Sequence, residues 1–398
     1  MSSVKHNITL NYGFEFISNL NFTQALWVSY LAFKGLTLVE IGLCESLFHI
    51  ASLIFEVPTG LIADRFGRKL SRILALLSRM IYLGLLLFVN NFGLALFSFI
   101  FAALSYNLES GADSAFVYDS MVETSTAARF AKVQGYREVI FQTSSMIAVM
   151  AGGLLADVSY ALAIQASLGI FALGFFIALF FKEPLQKEKT EKTTLKTLTA
   201  TAFATLKEEP ALGWIMLYGA LFLSIAATFF FYLSTYLRNL GYSLTTIAFW
   251  YTINTFGSIL AGLIVNKLIE RYDNKLILIS SILMTAALFF LPILPWGMIA
   301  FALIGACESI LYVTITHHLN RRIRSEVRAT VLSVNAMAYS VIMAVLFPLF
   351  GLIGDAAGLH FAFMLSASLM SVFVIVFMLM LRFDLLTGLH IFDIMDKK

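Results

Sequence analysis

Seven side chains able to hold a charge or move a proton stand where the sequence is otherwise apolar: Glu45, His49, Glu56, Arg79, Glu109, Asp113 and Glu308. At about 100° per residue, Glu45, His49, Ser52, Glu56 and Gly60 fall on one narrow helical stripe and form a polar seam against other helices. Glu109 and Asp113 share a helix face through their i, i+4 spacing. Ionisable groups in apolar surroundings are costly and face a partner or a water-filled cavity. A desolvated carboxyl group without a cation can take up and release protons near neutral pH. Glu109 is the first candidate for such a site and Asp113 the second. A static buried network, Glu56–Arg79–Glu109, is the alternative reading of the same residues.

The elements that must hold these residues are set by composition. Of 398 residues 60% are hydrophobic and 13% charged, and mean hydropathy is +0.86. That balance makes the bilayer the solvent, with apolar runs of about 20 residues crossing it as helices. Twelve spans are predicted near 14–34, 41–62, 70–90, 92–117, 134–156, 160–181, 212–237, 245–266, 275–294, 297–317, 328–352 and 360–381. With both termini cytoplasmic, every Lys and Arg falls inside except Lys34 and Arg238, outside, and Arg79, within a span; this is the positive-inside pattern. At about 1.5 Å per residue, Glu56, Glu109 and Arg79 lie roughly 9, 12 and 13 Å from the inner boundary, within reach of one another. The net charge of +3 belongs to the cytoplasmic loops and gives no reason to expect nucleic acid. Cys44 and Cys307 read as small apolar residues, and no metal-ligand spacing, nucleotide loop or hydrolase triad is present. The chain is therefore read as a non-enzyme without metal or cofactor.

Repetition organises the spans. Gly60-Leu-Ile-Ala-Asp64, Gly153-Leu-Leu-Ala-Asp157, Gly262-Leu-Ile-Val-Asn266 and Gly351-Leu-Ile-Gly-Asp355 end the second, fifth, eighth and eleventh of them. A three-span unit is thus used four times with alternating orientation, an arrangement typical of alternating-access carriers. Ala103-Leu104 with Glu109-Ser110 matches Ala302-Leu303 with Glu308-Ser309 without gaps, which pairs the fourth span with the tenth. The expected domains are a six-helix bundle over 1–181, a cytoplasmic linker over 182–211 and a second six-helix bundle over 212–398 with a short cytoplasmic tail. Within the linker Leu195, Leu198, Ala202, Phe203 and Leu206 recur at helical spacing, as in a helix lying on the membrane surface.

The loop Gly60-x-x-x-Asp64-Arg65-x-Gly67-Arg68-Lys69 resembles the signature loop of the major facilitator superfamily, and Glu56-Val-Pro58-Thr before it is similar to a variant found in bacterial efflux members. The resemblance implies an all-α membrane fold of two pseudo-symmetric six-helix bundles. It also implies a cytoplasmic gate of Gly60, Asp64, Arg65, Gly67, Arg68 and Asp119, with Asp64 directed to the eleventh span near Arg328–Val331. In physical terms Gly60 allows close helix approach, Gly67 allows a tight turn, and Arg68 suits the carboxylate of Asp119. Asp157 and Asp355 are the matching candidates for an extracellular gate; a solvated acid at a helix end is the alternative. The pattern departs from efflux members where Gly152-Gly153 lacks the accompanying Pro, and from many proton-coupled members where the fourth span lacks an Arg.

The expectation is a monomeric, multi-pass transporter of a bacterial cytoplasmic membrane, driven by the proton gradient. Proton-coupled efflux of amphipathic or cationic small molecules is preferred, with Glu308 as a proton site or counter-charge. Anion uptake is disfavoured because Arg79 is the lone cation within a span. Proton-coupled uptake of a sugar, peptide or organic acid is the runner-up, and a lipid flippase or transport-dead sensor the third reading.

Overall fold

The computed structural model describes residues 4–185, 200, 204, 206–207, 210–272, 275–291, 297–323 and 325–382, and among these every regular element is a helix. The first unit contains α1 (Lys5–Ser18), α2 (Trp27–Phe33), α3 (Leu38–Phe66), α4 (Arg68–Leu87), α5 (Phe92–Ser110), α6 (Asp113–Glu123), α7 (Phe130–Val158) and α8 (Tyr160–Leu179). There follow α9 (Pro210–Asn239), α10 (Leu244–Tyr272), α11 (Lys275–Phe290), α12 (Gly297–Arg322), α13 (Ser325–Ala357) and α14 (Leu359–Arg382). Two compact units emerge, Met1–Lys192 with Leu237–Phe249, and Thr193–Tyr236 with Trp250–Lys398.

Ten helices among the described residues are long and apolar enough to cross a membrane, with α5 and α6 together forming one of them. Two of the twelve expected spans differ. The ninth is α11, apolar but only 16 residues long. The first, expected over 14–34, is not one helix: α1 starts earlier, at Lys5, and ends at Ser18, and helix resumes only at Trp27. Side chains that compete for backbone groups explain the break. Asn19 Nδ2 donates to the Glu15 carbonyl at 2.8 Å, and Asn21 Oδ1 accepts from Thr23 N at 3.1 Å and Thr23 Oγ1 at 2.7 Å. The unwound turn is seated against α7 and α8. Phe22 N donates to Ser167 Oγ at 3.0 Å, and a Cβ on Gly152 would lie 2.1 Å from the Phe22 carbonyl oxygen. Irregular backbone inside a bilayer persists only where protein satisfies it in this way.

Other helix ends carry ordinary stop and start chemistry. Thr37 and Glu40 form a reciprocal capping box at the head of α3, Asn91 caps α5 through Leu94 N at 2.9 Å, and Ser159 caps α8 through Ala161 N at 3.2 Å. The backbone at Gly67 turns with φ of 99°, a conformation that separates α3 from α4. In the second unit α10 and α12 meet backbone to backbone: a Cβ on Gly257 would lie 2.3 Å from the Ala302 carbonyl, and Asn254 Nδ2 donates to Phe301 O at 2.7 Å. The aromatic run of α9 packs inward, with Phe229 stacked 4.6 Å from Phe363 and the Tyr232 hydroxyl donating to Phe347 O at 3.2 Å. Apart from Leu206, the linker stripe expected over 195–206 lies outside the described residues.

Candidate functional site

The polar residues of α1, Asn7, Asn11, Glu15 and Ser18, recur at intervals of four, four and three, so one buried stripe carries them all. Opposite that stripe α4 presents Arg72, whose side chain is 0% exposed. Its Nε donates to Glu109 Oε1 at 3.1 Å, its Nη1 to Asn11 Oδ1 at 2.6 Å, and its Nη2 lies 3.0 Å from Asp113 Oδ1. Arg137, from α7, pairs with the other oxygen of Asp113 through Nη2 and with Glu15 Oε1 through Nε, and donates to Gln134 Oε1 through Nη1. Asn11 Nδ2 then donates to Glu15 Oε1 at 2.8 Å. The ring closes through Arg72, Asp113, Arg137, Glu15 and Asn11, with Glu109 attached to Arg72.

Aromatic packing fixes the cation at its centre. The Arg72 guanidinium carbon lies 4.3 Å from the Phe14 ring centroid and 5.3 Å from those of Phe116 and Phe181. A planar, weakly hydrated fork suits both those ring faces and three separate acceptors. Two of the three acids sit differently from the cations: the Glu109 and Asp113 side chains are each 25% exposed, those of Arg72 and Arg137 0% and 9%, and Glu15 is as buried as the cations at 7%. Beside the ring lies a cavity of about 430 Å³, lined by Glu15, Glu109, Asp113, Arg137, Arg79 and Asn19 among others, with Phe141 and Leu76 as its apolar part. Arg79 makes no ion pair within 4 Å among the described residues. Its Nη1 donates to the Ser18 carbonyl at 3.1 Å and its Nε to Ser105 Oγ at 3.3 Å. A cation is thereby placed on the negative end of α1, where the macrodipole favours it.

Several sequence expectations are corrected here. Arg79 is not the lone cation among the spans, since Arg72 on α4 and Arg137 on α7 are buried as well; the disfavour attached to anionic cargo loses its premise. The Glu56–Arg79–Glu109 network is not formed: Glu109 pairs with Arg72, Arg79 with Ser105 and Ser18, and Glu56 is exposed. Glu56 has the periodicity expected of the seam but not the cover. Ser52 Oγ meets Asn107 Oδ1 at 3.2 Å, so the parallel register brings Glu56 level with Gly111, where α5 has already ended. The upper seam holds, with Glu45, His49 and Ser52 buried and His49 Nε2 3.4 Å from Glu45 Oε1. Glu109 and Asp113 do not share one continuous helix, because the chain breaks between α5 and α6; they meet at Arg72 all the same. Glu308, on α12, is half-buried and forms no ion pair among the described residues.

At the end of the unit where α4 begins, Arg68 pairs with Asp119 and donates to the Ala115 carbonyl. A partner not anticipated from sequence joins them. Glu183 accepts from Arg68 N at 2.7 Å and Lys69 N at 2.8 Å, and its carboxylate fills the space where a Cβ on Gly67 would stand, 2.6 Å from that position. Asp64 and Arg65 are exposed, and a Cβ on Gly60 would meet nothing within 4 Å, so close backbone approach is not its role here. The side chains over 328–330, expected to receive Asp64, lie outside those described. At the opposite end Asp157 caps α10, accepting from Leu244 N at 2.7 Å, Thr245 N at 2.9 Å and Thr245 Oγ1 at 2.5 Å. Gly153 gives that helix room, a Cβ there being 2.4 Å from Ala248 Cβ. Asp355 is exposed near the end of α13.

A family profile described as Major Facilitator Superfamily matches residues 8–251 and 236–386. An uncharacterized MFS-type transporter, YxaM of Bacillus subtilis (strain 168), is 24% identical over 357 residues, which is 86% of this chain and 87% of that one. Among solved structures, the nucleoside transporter NupG superposes with a TM-score of 0.79 at 14% identity, covering 96% of this chain and 99% of NupG. A D-xylose–proton symporter gives a TM-score of 0.69 at 13% identity, covering 94% and 96%. At such identities these structures establish the fold and leave the cargo open.

Proposed function

The chain belongs to the Major Facilitator Superfamily of membrane transporters, and on that premise we propose that it couples protons to the movement of a polar, uncharged or zwitterionic small molecule by alternating access. One observation carries the reading, the closed ring facing a 430 Å³ cavity. In and around the ring Glu15, Glu109 and Asp113 are matched by Arg72, Arg79 and Arg137, with Glu138 an exposed fourth acid on the cavity wall, so a cargo with net charge would upset the balance of the inner charges in low dielectric. Amide, hydroxyl and guanidinium donors around an apolar Phe141 wall suit a hydroxylated ring. A nucleoside transporter and a D-xylose–proton symporter among the structural neighbours are in keeping with such cargo.

Glu109 is the proton carrier in this scheme. Asp113 is gripped by two guanidinium groups, whereas Glu109 has one ion-pair partner and faces the cavity. A proton on Glu109 cancels its pull on Arg72 while Asn11 and Asp113 keep Arg72 in place, so cargo binding and proton binding meet on one side chain. Arg68–Asp119 and the Asp157 cap act as cytoplasmic and extracellular latches in the same scheme. The protein works as a monomer in the cell membrane with both termini cytoplasmic, driven by the proton gradient without a bound cofactor.

Efflux of amphipathic cations is the second reading, favoured by Glu308, a half-buried acid without an ion pair among the described residues. Proteoliposomes with an imposed pH gradient separate the two. Under the first reading a panel of nucleosides and monosaccharides includes a solute accumulated by the wild type, and Glu109→Gln abolishes gradient-driven accumulation while leaving solute exchange at equal pH. Accumulation of a cationic dye, dependent on Glu308 and indifferent to Glu109, overturns it in favour of the second.

A further inference from the structure

Away from the ring, where α2 and α4 finish and α7 gives way to α8, the first unit has a second cavity of about 310 Å³. Tyr30, Phe33, Tyr160 and Val158 line it together with Lys34 and Arg238. These are the two basic residues that the charge pattern leaves on the outer side, far apart in sequence and drawn to one cavity by the fold. Neither forms an ion pair among the described residues: Lys34 Nζ sits 5.7 Å from the Tyr30 ring centroid, and Arg238 Nη1 donates to its own loop at Tyr242 O, 3.1 Å away. Asp157, the acid adjoining this cavity, has both oxygens hydrogen-bonded to Leu244 and Thr245; its charge acts on Arg238 from beyond ion-pair distance, which leaves Lys34 as the second cation without an adjoining acid in the cavity lining. The apolar side of the cavity runs out to the surface, with Phe33 71% and Val158 78% exposed. Tyr160 packs 5.2 Å from Phe33 and 5.5 Å from Tyr30, an aromatic cluster of the kind found at the headgroup level.

We propose that this cavity binds the phosphodiester of an anionic glycerophospholipid between Lys34 and Arg238, with an acyl chain over Phe33 and Val158. Lys and Arg are disfavoured on the outer side, so their convergence on a cavity open to hydrocarbon calls for an anion that itself carries an apolar tail. Basic pockets beside spanning helices hold lipid headgroups by this combination. The site is separate from the ring and independent of which cargo the ring accepts.

Native mass spectrometry of the full chain in mixed micelles tests the proposal, with phosphatidylglycerol and phosphatidylcholine as competing probes and inorganic phosphate as a third. The wild type is expected to retain phosphatidylglycerol over phosphatidylcholine. At about fivefold per charge, K34Q/R238Q is expected to lose about 25-fold of that preference, with K34R/R238K keeping it and all three proteins melting together. Equal retention of the two lipids, or an unchanged preference in K34Q/R238Q, overturns the proposal. Displacement of phosphatidylglycerol by inorganic phosphate also overturns it, by assigning the cavity to a soluble anion.

Discussion

Replacing Arg72 with Met keeps a side chain of similar length among Phe14, Phe116 and Phe181 while deleting the centre of the ring. Three interactions vanish together, those to Glu109, Asn11 and Asp113. Breaking a buried pair from one side costs about 3–5 kcal/mol, because the other charge is left uncompensated. Asp113 keeps Arg137, so that cost falls mainly on Glu109. Glu109→Gln alone forfeits one charge-assisted hydrogen bond, about 1.5–3 kcal/mol. Combining the two removes the orphaned charge, and the double variant should be less unstable than the sum of the singles by about 1.5–3 kcal/mol. Reversible unfolding in mixed micelles, followed by the fluorescence of the four Trp residues, measures all four corners of the cycle. Additivity to within about 0.5 kcal/mol would refute the reasoning, since the Arg72–Glu109 contact would then carry no energy.

Three other substitutions follow from the geometry. Gly67→Ala puts a methyl group into the Glu183 carboxylate at a backbone φ of 99°; it should cost about 1–3 kcal/mol, and adding Glu183→Ala should cost little more, as read by melting. Gly152→Ala drives a methyl group into the Phe22 carbonyl and should destabilise by about 1–3 kcal/mol, with the Asn19–Leu26 turn exchanging its amide hydrogens faster. Glu56→Gln should change unfolding by less than about 0.5 kcal/mol, because the side chain is exposed; a larger loss would restore the network that sequence depth suggested.

Periodicity carried the reading of the sequence only where a neighbour continues to cover the helix. Glu45, His49 and Ser52 are buried as their spacing requires, while Glu56, in phase with them, outlasts α5. The Arg68–Asp119 pair was legible because the signature loop fixes one partner and the end of the fourth span supplies the other. Arg72, Arg137 and Glu15 were missed for a shared reason. All three fall within three residues of an edge of the spans drawn at 14–34, 70–90 and 134–156, where a hydropathy boundary is least sharp, so the two Arg residues were counted with the cytoplasmic side and Glu15 was given no role. Their pairings also join positions 61 and 122 residues apart, which no local window registers. The stripe Asn7, Asn11, Glu15 and Ser18 was the one available signal, a helical period in polar residues at the edge of an apolar run.

The interrupted first helix bears on how the chain enters the membrane during synthesis. A segment carrying Asn7, Asn11 and Glu15, and unwound after Ser18, is a poor substrate for the translocon: one acid at the centre of a lone helix costs about 2.5–3.5 kcal/mol on insertion scales. Its partners Arg72 and Arg137 leave the ribosome later, and only then can the acid be neutralised. The amino-terminal helix should therefore settle into the bilayer late, drawn in by α4 and α7, and truncated nascent chains ending before Arg137 should leave it accessible to water-soluble labels.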